Sequence, residues 1–104
     1  MTCKSLAHAV ISFALLASLS NLSWAAEEGA ALYKKKCAGC HGQQGEGKPA
    51  MKAPALKGTS LSAEKVTDHL TKGEPNSKAP HNKGISGLTE EDAKAVAEFV
   101  KSLK

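Results

Sequence analysis

The chain contains no arginine, so its formal charge of +4 rests on lysine alone. Phosphate recognition without the planar guanidinium fork is unusual, and no basic stripe is interleaved with aromatic residues, so nucleic acid is excluded as a partner. Aromatic residues are scarce, with two Phe, one Trp and one Tyr in 104 residues, and rings build little of any core. No apolar run reaches the about 20 residues that a membrane-spanning helix needs; the longest, Ala9 to Leu19, is about half that length. Cysteine is sparse as well. Cys37 and Cys40 are so close that a disulfide between them would close a tiny loop and organise almost nothing. No segment shows the two-residue alternation of a strand, which makes the domain all-α.

The front of the chain accounts for part of its hydrophobicity. Lys4, the apolar run Ala9 to Leu19 and the small-residue site around Ser23-Trp24-Ala25 form the pattern of a secretory signal peptide over residues 1–25, cleaved after Ala25. No cysteine follows the cleavage point, so neither a lipid nor a membrane anchor is expected. The single mature domain is 26–104. A domain of about 80 residues is marginal on apolar burial alone, and small exported domains add a disulfide, metal or cofactor. Cys3 and Trp24 leave with the signal peptide, and only Tyr33 and Phe99 remain as aromatics. Something larger must supply the centre of the core.

Three helices are expected. Residues from Glu27 to about Cys37 are rich in Glu, Ala, Leu and Lys, with acids at the start, where the helix dipole favours them. Leu61 to Lys72 carries Ala63, Val66 and Leu70 on one face, with Gly73 as a stop. Thr89 caps the last helix with Asp92 three residues on, and Ala93, Val96, Val100 and Leu103 recur at helical spacing. The connections are long and rich in glycine and proline. Loops of that length usually wrap a ligand or carry function.

Cys37-Ala38-Gly39-Cys40-His41 is the attachment signature for c-type haem, in which two thiols bond the haem and the adjacent histidine ligates its iron. A thioredoxin-like pair would be expected in a strand-helix unit that this chain lacks. A zinc site would need a further ligand pair at standard spacing. Export agrees with haem attachment.

The mature chain resembles a small class I cytochrome c over nearly its whole length. Gly29, Leu32-Tyr33 and Cys37 to His41 resemble that family's first helix and haem-binding run. Gly42-x-x-Gly45-x-Gly47 and Ala53-Pro54-Ala55-Leu56-x-Gly58 resemble its first haem-side loop, and Leu88 to Val100 resembles its last helix. The resemblance implies the cytochrome c fold, with three main helices and long loops around one covalently attached haem c. It further implies that Gly29 lets the first and last helices cross closely near Phe99. Pro54 would accept a hydrogen bond from His41 through its carbonyl, and Leu56 would lie on the haem.

The family usually takes a methionine from the loop before the last helix as sixth iron ligand, and this chain has no methionine after Met51. Met51 lies only ten residues past His41, in the proximal-side stretch, and is expected to pack or face solvent. His81 follows Pro80 eight residues before Thr89, where the family's methionine would fall, and is the expected distal ligand. His69, about a quarter turn off the apolar face of its helix, is expected to be a surface side chain flanking the pocket. His69 and Met51 stand as the alternative ligands. A second imidazole raises the reduction potential less than a thioether does, so a His/His haem sits lower than a His/Met one.

These features predict a periplasmic, monomeric electron carrier rather than an enzyme. Lysines around the haem (Lys34 to Lys36, Lys48, Lys52, Lys57, Lys78 and Lys83) would steer it to redox partners with acidic docking surfaces. Two alternatives remain open at this point. One is a haem protein with an open or displaceable sixth site for a small gas or substrate; the other is a cytochrome subunit of a larger redox enzyme.

Overall fold

The computed structural model describes residues 25–104; the expected signal peptide, apart from Ala25, lies outside the described residues. The described residues form four helices: α1 (25–36), α2 (Ala38–His41), α3 (Ala63–Lys72) and α4 (Glu90–Ser102). One 3-10 turn spans Pro49–Met51, and Lys48 and Ala53 make an isolated antiparallel bridge. No strand occurs among the described residues, in keeping with the all-α reading.

Local chemistry sets the helix ends. The Ser62 hydroxyl accepts from Lys65 N, so α3 starts at Ala63 rather than at Leu61, which stays exposed. Gly73 ends α3 with a positive φ of 75°. Thr89 and Asp92 complete a full capping box on α4, each side chain bonding the other's backbone N–H. Between α1 and α2 the chain turns at Cys37, whose N–H donates to Tyr33 O at 2.8 Å while its own carbonyl accepts from His41 N at 2.9 Å.

α1 crosses α4 at Gly29, where a Cβ would overlap the Ala95 carbonyl and meet Phe99 Cβ at 3.4 Å. One turn on, the Tyr33 ring packs on Phe99 with centroids 5.1 Å apart. α3 packs along α4, and Leu70 joins Ala93, Val96 and Val100 in the core. The buried apolar set is Tyr33, Ala38, Leu70, Ala93, Val96, Ala97 and Val100. At roughly 1.5–3 kcal/mol for a fully buried large side chain, such a set of mostly small residues is a thin core. Leu32, Leu56, Val66, Ile85 and Leu88 pack against it yet stay half-buried.

The two long loops are tied back rather than free. In the first, the buried Tyr33 hydroxyl donates to Gly42 O at 2.7 Å, and Leu56 N donates to Gly45 O at 2.7 Å. In the second, residues 73–88, Ile85 N donates to Leu70 O at 2.8 Å and Glu74 N to His81 O at 2.7 Å. Gly84 lies so close to α3 that a Cβ would overlap the Thr71 carbonyl. Lys36 Nζ reaches from the end of α1 to Ser86 O at 3.1 Å. This loop is a strap fastened across the C-terminal turn of α3, and it carries His81.

Candidate haem site

The turn from α1 into α2 sets both thiols and His41 on one short segment. Cys37 is half-buried and Cys40 exposed, and both are free thiols. Burial pushes the Cys37 thiol above its ordinary pKa, against the nearby Lys36 ammonium. His41 is buried, and its Nδ1–H donates to Pro54 O at 2.8 Å. An imidazole that spends its Nδ1 proton on a carbonyl presents the lone pair of Nε2, the tautomer and orientation that a metal ligand needs. Leu56 is half-buried against the core, two residues beyond that carbonyl.

The strap brings His81 to the same place. The His81 ring centroid lies 5.7 Å from that of His41, with the planes at 61°. Its Nδ1 is buried without a hydrogen-bond partner. Burial, with His69 and then His41 adjacent, holds the His81 pKa below its ordinary value, which favours the uncharged imidazole that a metal ligand needs. The His69 ring stands 5.1 Å from the His81 ring. His69 is half-buried against another imidazole rather than set on the open surface that its helical phase suggests. Met51 is 56% exposed at the end of the 3-10 turn.

These donors fit haem c. The signature thiols are free to bond the porphyrin edge, and two imidazoles approach each other from different elements. At a ring spacing of 5.7 Å, His41 and His81 would be the residues to hold the haem iron. No group of three or more His, Cys, Asp or Glu among the described residues is arranged to hold a bare metal ion.

Some features of the site have weak sequence signals or none. The Tyr33 hydroxyl bond to Gly42 spans nine residues and follows no motif, and the His69–His81 contact joins residues twelve apart through the strap. Gly73 was legible as a helix stop and Gly84 as a loop residue, but nothing in the sequence shows that both let the strap lie against α3.

An all-α fold that presents two thiols and a histidine on one turn defines a small class I c-type cytochrome. Residues 25–100 match the family model described as cytochrome c oxidase, cbb3-type, subunit III, and the chain belongs to that family. Membership carries covalently bound haem c with its iron, a haem-based electron-transfer role and redox partners. Searches of curated proteins and of solved structures return no match. No helix among the described residues is long and apolar enough to cross a membrane.

Proposed function

We propose that this protein is a monomeric electron carrier of the periplasm, exported by the segment 1–25, with His41 and His81 as the two axial ligands of its haem iron. The observation that carries the reading is the 5.7 Å approach of the His41 and His81 rings beside the Cys37 and Cys40 thiols. Haem c supplies a one-electron ferric/ferrous couple. Cys37 and Cys40 hold it covalently, and the Pro54 carbonyl fixes the orientation of His41. His81 replaces the family's usual methionine, and the potential is lower than that of His/Met cytochromes. Exposed lysines on the loops, Lys48, Lys52, Lys57, Lys78 and Lys83, steer the protein to acidic docking surfaces.

The test is the near-infrared charge-transfer spectrum of the ferric protein. The expected band is that of bis-histidine ligation. A methionine band would assign Met51 and overturn the ligand set, and a high-spin spectrum would favour an open site that binds small ligands. His81→Met keeps the fold and raises the potential; an unchanged potential would remove His81 from the iron.

The family match favours a second reading, a cytochrome subunit of a terminal oxidase. Its discriminating experiment is purification from the native membrane and soluble fractions. Co-purification of the chain with an oxidase core supports the subunit; recovery as a free monomer supports the carrier.

A further inference from the structure

The two axial histidines are held in unlike ways. His41 has a carbonyl on its outer nitrogen, the usual device that fixes the rotation and tautomer of a metal-bound imidazole. His81 has no hydrogen bond from its Nδ1 and sits in a strap without regular secondary structure. Backbone bonds locate its main chain: His81 N donates to Lys78 O at 3.0 Å, and His81 O accepts from Glu74 N. Neither bond limits rotation of the ring. The His69 ring stands against it, with centroids 5.1 Å apart and planes at 49°. His69 itself is placed firmly, since it lies inside α3 and its carbonyl accepts from Gly73 N at 3.0 Å.

We infer that His69 is a positioning residue for the distal ligand: its ring, carried on the rigid end of α3, packs against His81 and holds that imidazole turned toward His41. This rests on the assignment of His81 as sixth ligand. The contact does by packing what the Pro54 carbonyl does for His41 by hydrogen bonding. Its consequence is a smaller population of the state in which His81 is off the iron. An exogenous ligand binds only that open state, so its apparent affinity scales with the open fraction.

The experiment measures cyanide affinity and the near-infrared spectrum of the ferric holoprotein in four forms: wild type, His69→Ala, His69→Phe and His81→Ala. Haem content and far-ultraviolet circular dichroism verify folding. Loss of orienting groups around metal ligands costs roughly 10–100-fold in affinity, so His69→Ala should bind cyanide about tenfold more tightly or better while keeping a bis-histidine band. His69→Phe keeps a ring and no donor, and should return the affinity to within about threefold of wild type, a rescue that ligation by His69 would not permit. Wild-type affinity in His69→Ala overturns the inference and leaves the strap alone in charge of His81. A gain in both His69 variants also overturns it, because ring packing would then not be the cause. If His81→Ala leaves the band and the affinity unchanged, the sixth-ligand assignment fails and the inference falls with it. If His69→Ala goes high-spin while His81→Ala does not, His69 is itself the ligand.

Discussion

At Gly29 a single hydrogen atom in place of a side chain decides how closely two helices approach. Ala is favoured over Gly in a helix by about 1 kcal/mol, but a Cβ there overlaps the Ala95 backbone carbonyl, and forcing atoms into a packed contact costs about 1–3 kcal/mol. Gly29→Ala should therefore destabilise the fold, read as a fall of several degrees in the thermal midpoint. Tyr33 makes the opposite kind of contribution, since its buried hydroxyl satisfies the Gly42 carbonyl. Tyr33→Phe removes that bond while the Gly42 carbonyl keeps the longer one from Gly45 N at 3.2 Å, and chemical denaturation should show a loss of about 1 kcal/mol. Burial, reinforced by Cys37 and Glu46, raises the Tyr33 phenol above its ordinary pKa. The unfolded phenol ionises first, at about 10, so above that pH the unfolded state binds fewer protons and stability declines as pH rises. Tyr33→Phe should lessen this alkaline decline. At the attachment site, Cys37→Ala or Cys40→Ala should abolish normal two-thioether attachment and stable folding; a folded, fully loaded Cys37→Ala protein in denaturing haem-stained gels would contradict the model.

At the scale of elements, α4 and the strap give contrasting expectations. Thr89→Ala removes half of a capping box and should cost about 1 kcal/mol of stability. It should leave the ferric spectrum unchanged, because no part of the cap touches the imidazoles. Gly84→Ala acts on geometry instead. A Cβ at that position overlaps the Thr71 carbonyl, so the strap must lift from α3 and carry His81 with it. The expected result is a high-spin component in the ferric spectrum that exceeds any seen for Thr89→Ala at matched stability. An unchanged spectrum would show that the strap adjusts without moving its histidine. The end of α3 and the start of α4 were legible in the sequence because Gly73, Thr89 and Asp92 act within one turn of where they stand, whereas the Ser62 cap moves the start of α3 from Leu61 to Ala63. The strap was legible only as a loop, since its form depends on Leu70 and Thr71 in another element.

For the whole molecule, charge is divided by region. Exposed lysines dominate the loops and the end of α1, whereas Glu64, Asp68, Glu90 and Glu98 line a groove between α3 and α4 with Lys94. Two of the lysines hold loops together as well as carrying charge: Lys36 bonds Ser86 O, and Lys48 bonds Gly39 O at 3.1 Å beside the attachment motif. With the proposed docking lysines on those loops, oxidation of the ferrous protein by anionic ferricyanide should slow as ionic strength rises, whereas oxidation by a cationic cobalt complex should quicken. Stopped-flow rates at several salt concentrations check this, and equal salt slopes for the two oxidants would mean that the charge division does not reach the haem edge.

The sequence by itself determined what depends on neighbours along the chain: the helices and their caps, and the haem-attachment run Cys37 to His41. It also supplied the list of possible sixth ligands, because Met51, His69 and His81 are the methionine and histidines of residues 26–104 beyond His41. Tertiary structure alone decided how those atoms are arranged. Met51 lies on an exposed turn, while the His81 ring comes within 5.7 Å of His41 and the His69 ring within 5.1 Å of His81. The physical reason is that ligation depends on distances between residues up to forty positions apart. Those distances follow from where Gly73 and Gly84 let the strap lie on α3, a placement that no local pattern encodes.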